Sequence, residues 1–185
     1  MYVVLVGVCG VTQLTSLAIY PAVAKKLNRR QLYTLSTILV LAAYAIFFIA
    51  EISIVLVALG AILVFVGQAF IQTLMLMFLA DTVEYGQWKL GKRNESITFS
   101  IQPLINKIGG AIATGIVSLT LILSGIKIDG GTADMIGSDG KLIVKVAMFV
   151  IPLLMIVAGY IIYLKKYKIS EEYYKQILSE LEEKE

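Results

Sequence analysis

Lys107 stands inside the apolar run "SIQPLINKIGGAIATGIVSL" (residues 100–119), with Gln102 and Asn106 close by. An ammonium in that setting can neutralise a carboxylate or donate hydrogen bonds to a solute, and amides can hydrogen-bond the same solute. Gln68 and Gln72 share a helical face in "GQAFIQTLMLMF". They could hold a solute, or equally glue helices together at about 1 kcal/mol each. A third group gathers in "DTVEYGQWKLGKRNES", where Asp81, Glu84, Lys89, Lys92, Arg93 and Glu95 put both signs of charge at one bundle end. Such residues form either a network made in one conformation and broken in another, as a gate requires, or a solvated loop. Asp81 and Glu84 also invite an acid–base reading, but no soluble pocket or second catalytic group accompanies them, so no enzyme is expected.

Composition excludes other chemistry. There is no histidine, and the lone Cys9 sits in an apolar run, so neither zinc nor haem spacing exists and no metal site is expected. "GKRNES" lacks the phosphate-loop frame and "GVCG" is too short for a dinucleotide fingerprint. "KIDGGTADMIGSDGK" has the Gly and Asp of a calcium loop without its ordered pattern, and reads as a polar connection. No basic patch with interleaved aromatics points to nucleic acid.

The elements that position these groups are membrane spans. The chain has 185 residues, 58% hydrophobic and 16% charged. Runs of about 20 apolar residues cross a hydrocarbon core of roughly 30 Å, and five stretches reach that length: 2–24, 31–50, 53–80, 97–126 and 142–164. None alternates as barrel strands do, so all five read as helices in an all-α membrane protein. Residues 1–168 are expected to form a transmembrane bundle. Residues 169–185 are expected to be a cytoplasmic amphipathic helix with Ser170 as N-cap and Tyr173, Tyr174, Ile177, Leu178 and Leu181 on its apolar face. That helix would pack beneath the bundle or lie on the headgroups.

Cations set the expected orientation. Lys25, Lys26, Arg29 and Arg30 follow the first span, Lys89, Lys92 and Arg93 the third, and Lys165, Lys166 and Lys168 the fifth. The opposite connections carry Glu51, and then Lys127, Asp129, Asp134, Asp139 and Lys141. The positive-inside rule places the three basic clusters and the C-terminus in the cytoplasm of a multi-pass plasma-membrane protein, with the N-terminus outside. An odd span count that begins outside, with no basic segment ahead of the first span, suggests a piece of a longer polypeptide.

Read at 100° per residue, Ile97, Ile101, Leu104, Ile105, Ile108, Ile112, Ile116 and Leu119 share one face of the fourth span. Pro103, Asn106, Lys107, Gly110, Thr114 and Ser118 lie opposite, with Gln102 at the border. Lys107 falls near the midplane, about 15 Å from the start of the span, too deep for its stem to reach an interface. No other span supplies a carboxylate at that depth. Its partner is therefore a residue outside this chain, a solute or cavity water, unless helix-end carbonyls hold it in a packed bundle. Lys145, near a span end, can instead snorkel. Gly7 and Gly10, with Thr12, Gln13, Thr15 and Ser16, read as packing positions in the first span.

The run "ADTVEYGQWKLGKRNESITFSIQPLINKIGGAIATGIVSLTLILSGI", with its D-x-V-[ED]-Y-G-[EQ], then G-x-R-x-E-S, then a lysine eleven residues after Ser96, resembles the glycoside-pentoside-hexuronide cation symporters. "AKKLNRR" and "YKISEEYYKQI" extend the likeness over nearly the whole chain. These sugar transporters of the major facilitator superfamily have twelve spans in two bundles. The resemblance implies that the chain corresponds to spans eight to twelve, and that it needs an N-terminal bundle to work. It implies a cavity role for Lys107, Gln102 and Asn106, with Gln68 and Gln72 nearby, and an inner gate built from Asp81, Glu84, Tyr85, Arg93 and Glu95. It implies a sugar or glycoside solute and a coupling Na+, Li+ or H+ bound mainly by the other bundle, in a lipid bilayer, with no other cofactor. Gln72 stands where melibiose permease has a pocket tryptophan, and Pro103 where it has a threonine. A second expectation remains beside transport: a non-transporting five-span remnant or assembly subunit.

Overall fold

The computed structural model describes residues 2–49, 53–126 and 137–183, with side chains from Gly7 onward. Glu51, Lys127, Asp129 and Asp134 lie outside the described residues. Every regular element among the described residues is helical: α1 (Tyr2–Ala24), α2 (Arg29–Ile49), α3 (Ile54–Leu90), α4 (Glu95–Ser124), α5 (Ser138–Lys145), a π-helical turn (Val146–Val150), α6 (Ile151–Lys166) and α7 (Glu171–Glu182). Five helical stretches are long and apolar enough to span a bilayer: Gly7–Ala24, Arg29–Ile49, Ile54–Leu90, Glu95–Ser124 and Ser138–Lys166. The chain divides into two compact units, Met1–Phe99 with Tyr160–Glu185, and Ser100–Gly159.

In the first unit α3 is the spine, packed by α1, α2 and α7. Its buried stripe recurs every seven residues: Gly60, Gly67, Leu74 and Asp81 are all buried. That spacing keeps one seam of a long helix facing its neighbours. At the upper two positions only glycine fits. A Cβ on Gly67 would lie 2.6 Å from Val40 Cγ2 and 2.8 Å from the Ser36 carbonyl oxygen, and one on Gly60 would lie 2.8 Å from the Phe47 ring. Ser36 and Thr37 satisfy their hydroxyls on the carbonyls of Leu32 and Tyr33 within α2, so this tight crossing carries no unpaired hydroxyl. Lower down, Tyr20, Leu32, Phe70 and Leu74 form the buried core, with Tyr20 and Phe70 edge to face. Gly7 and Gly10 of α1 face open space. The close backbone approach expected of them is found at Gly60 and Gly67 instead.

Helix α3 runs ten residues past the expected end of the third span. Residues 81–90 are polar, which ends a hydrophobic run, but they contain no proline, and a helix needs no hydrophobicity to continue. It stops at Gly91, which takes a left-handed φ of 67° and returns its N–H to the Gln87 carbonyl at 2.9 Å.

In the second unit, α4 and the α5–π–α6 rod enclose an apolar cleft of about 580 Å³, lined by Ile112, Ile116, Met148, Pro152 and Met155 among others. The rod begins at Ser138, so Asp139 and Lys141, read as loop residues from sequence, are helical. The Ile151 N–H bonds the Val146 carbonyl, five residues back. Pro152 accounts for this wide turn: it has no N–H to donate, and its ring would clash with the Met148 carbonyl in an unbroken α-helix.

Candidate functional site

The seven-residue seam of α3 carries its fourth member, Asp81, into burial, leaving the side chain 2% exposed. An isolated carboxylate there would pay heavily for lost hydration, so it must find donors. Two arrive. The Arg29 guanidinium, at the first residue of α2, makes an ion pair with Oδ2, and the Tyr167 hydroxyl donates to the same oxygen at 3.0 Å. Arg29 is thereby fixed at a junction. Its backbone N–H donates to Glu171 Oε1 at 2.8 Å, and its guanidinium lies 4.8 Å from the centre of the Tyr174 ring. One residue thus ties α2 to α3 and to α7.

Aromatic rings close the site. Tyr33 and Tyr163 meet at 4.4 Å between centroids, Phe78 and Tyr167 at 4.6 Å, and Tyr163 and Tyr167 at 5.2 Å. Their bulk keeps water from Asp81 and strengthens its pairing. Burial, then the neighbouring Asp81 charge and the hydrogen bond to it, push the Tyr167 hydroxyl far above its ordinary pKa, so it remains a donor.

One turn beyond Asp81, Glu84 accepts from the Tyr174 hydroxyl, while its Oε2 is buried with no hydrogen-bond partner among the described residues. Burial, followed by that hydrogen bond to Glu84, pushes the Tyr174 hydroxyl up to about 12. Next come Tyr85 and Trp88, whose rings pack on each other and on Tyr173. The Trp88 indole N–H donates to Glu180 Oε2 at 2.7 Å. Helix α7 starts where its sequence indicates, with the Ser170 hydroxyl accepting the Tyr173 N–H at 3.2 Å.

The residues expected at the inner gate therefore separate into two sets. Asp81, Glu84 and Tyr85 lie along the lower part of α3, beside α7 and Arg29. Arg93 and Glu95 pair with each other at 3.2 Å, both more than half exposed. Among the described residues no ion pair joins Arg93 to Asp81 or Glu84; the cation that Asp81 uses is Arg29.

The expected cavity residues lie on α3 and α4. Gln68 and Gln72 are exposed on α3 and make no side-chain hydrogen bond among the described residues. Asn106 and Lys107 are exposed on α4, and Gln102 is half-buried. Lys107 is twelve residues from the first residue of α4, about 18 Å along its axis. No described residue pairs with its ammonium. Of the side chains described on α4, only Ser124 is buried, so its isoleucine face and its polar face are both open in this chain. No group of three or more His, Cys, Asp or Glu suited to a metal ion occurs among the described residues.

A family model described as MFS/sugar transport protein matches residues 1–171. The chain belongs to that family. Within the MFS/sugar transport proteins it is 36% identical over 169 residues to the lactose permease of Lactobacillus delbrueckii subsp. bulgaricus, covering 91% of this chain and 27% of that protein. The raffinose carrier protein of Pediococcus pentosaceus is 38% identical over 91% of this chain and 26% of its own length. The lactose permease of Leuconostoc lactis is 30% identical over 89% of the chain. These relatives are permeases, not enzymes, and the chain spans about a quarter of their length. Membership accords with the resemblance carried by the run from Asp81 to Lys107.

Sequence reasoning left Arg29 among the orienting cations and did not place it at the site. The signal was present: Gly60, Gly67, Leu74 and Asp81 share one stripe, so a carboxylate at its end is buried and requires a cation from a packed neighbour.

Proposed function

We propose that this chain is the C-terminal part of a sugar:cation symporter, working by alternating access together with an N-terminal bundle. The carrying observation is Lys107, an ammonium about 18 Å into a membrane-spanning helix with no partner among the described residues. Such a charge is tolerated where it lines a wet cavity or meets carboxylates from elsewhere. The second bundle supplies those carboxylates and the coupling cation site, for Na+, Li+ or H+. Lys107, Gln102 and Asn106 then line the solute path on α4, with Gln68 and Gln72 on α3. The amides and the ammonium offer donors to sugar hydroxyls. The names of the relatives favour a galactose-containing solute of the lactose and raffinose kind. The basic clusters face the cytoplasm, where Asp81, Glu84 and Tyr85, with Arg93 and Glu95, act at the inner gate. Rocking of one bundle against the other opens the midplane site to each side in turn.

The test is Lys107→Ala in the native polypeptide, with insertion checked by immunoblot and uptake of radiolabelled lactose or raffinose measured under an imposed cation gradient. The reading expects normal insertion and uptake reduced at least tenfold, roughly the loss of one charged contact. Normal coupled uptake by this variant would remove Lys107 from the mechanism. If a tag at Glu185 reports a native polypeptide near the 20.3 kDa of this chain, the missing half must come from a separate subunit.

A further inference from the structure

A second cavity, of about 610 Å³, opens at the basic end of the first unit between the start of α2, the end of α6 and the start of α7. It is lined by Arg29, Arg30, Lys168 and Lys175 together with Glu171 and Glu172. Arg29 is neutralised by Asp81, and Glu171 is engaged by the Arg29 backbone N–H. Counting Asp81, four cations face three carboxylates, which leaves one positive charge in excess. Arg30, Lys168 and Lys175 make no ion pair among the described residues. The Asn28 side chain and the Ser170 hydroxyl add neutral polar groups to the wall.

Arg30 also closes one end of a separate groove of about 350 Å³ formed by Gln31, Thr34, Leu35 and Ile38 on α2. This groove leads along the span from its basic start towards the hydrocarbon. Helix α2 begins at Arg29 and α6 ends at Lys166, so the charged cavity lies at headgroup depth. A polar chamber with one unbalanced positive charge, sharing Arg30 with a shallow groove that runs from Gln31 and Thr34 to the apolar Leu35 and Ile38, matches a phosphodiester attached to an acyl chain. Free phosphate would have no use for the groove.

We propose that this composite site holds one anionic phospholipid, its phosphate between Arg30, Lys168 and Lys175 and an acyl chain along Thr34, Leu35 and Ile38. Basic pockets between spans are the usual recognition mode for anionic headgroups, and each nearby cation contributes to it. The bound lipid braces α2, α6 and α7 at the end where Arg29 joins them.

The test titrates phosphatidylglycerol into the delipidated native polypeptide and counts bound lipid by native mass spectrometry. Phosphatidylethanolamine and the water-soluble headgroup glycerophosphoglycerol serve as comparison ligands. Arg30→Gln/Lys168→Gln/Lys175→Gln should weaken phosphatidylglycerol binding on the order of a hundredfold. Lys25→Gln/Lys26→Gln/Lys165→Gln, with the same charge change elsewhere at that end, should leave it unchanged. Leu35→Trp fills the groove without altering charge and should weaken binding about tenfold. It keeps the test decisive if the triple variant loses its helical signal. Equal binding of phosphatidylethanolamine, headgroup binding as tight as that of the lipid, or an unaffected Leu35→Trp variant would each overturn the proposal.

Discussion

Removing either side of the Arg29–Asp81 pair should have unequal consequences, because the two partners are buried to different degrees. Asp81 is 2% exposed and Arg29 24%. Arg29→Gln leaves a sequestered carboxylate with the Tyr167 hydroxyl as its remaining strong donor, and stranding a charge in this way costs about 3–5 kcal/mol. Asp81→Asn keeps an acceptor for Tyr167 and leaves Arg29 with water and the Tyr174 ring, a loss of about 1–2 kcal/mol. The double variant should cost little more than Asp81→Asn alone, since it no longer buries an unpaired charge. The cycle therefore predicts a coupling a little below the Arg29→Gln loss itself, about 3–4 kcal/mol. The assay is reversible unfolding of the native polypeptide in mixed micelles with increasing dodecyl sulfate, followed by circular dichroism. Equal single losses, or a double variant whose loss is the sum of the two, would refute the burial argument.

Gly67→Ala should destabilise by about 1–3 kcal/mol, because its Cβ meets the α2 backbone and the helices must separate. Gly115→Ala, in open space on α4, should instead be neutral or slightly stabilising; melting temperatures of the two variants check the reversal. Raising pH should loosen α7. With its folded pKa of about 12 above the ordinary 10, Tyr174 contributes stability that is fully present below pH 10 and lost as pH rises towards 12. Protease release of the tail, followed across that window in native and Tyr174→Phe polypeptides, should show the variant less sensitive to pH. Glu180→Ala removes the acceptor of the Trp88 indole and should increase tail cleavage at neutral pH several-fold, about 1 kcal/mol in opening free energy.

The five spans were legible because length and apolarity alone decide them. Their ends were less so. The hydrophobic run stops at Ala80, yet the backbone stays helical until Gly91 allows a left-handed turn, a distinction that hydropathy does not carry. Ser170 was readable because a hydroxyl ahead of two glutamates caps by local geometry. Arg29 was not, since its partner lies 52 residues away and is identified only when α2 and α3 are seen to cross. The π-turn was equally hidden: Pro152 signals a perturbed helix, but not whether it kinks or widens.

That turn makes the fifth span, in effect, a helix with one residue too many. A residue added to an α-helix rotates everything beyond it by about 100° relative to what precedes it. The cleft of the second unit is walled on both sides of the turn, by Val144 before it and by Pro152 and Met155 after it. Deleting one residue from Val146–Val150 should leave the span long enough to cross a bilayer while turning Pro152 and Met155 by about 100° relative to Val144, out of the cleft they share.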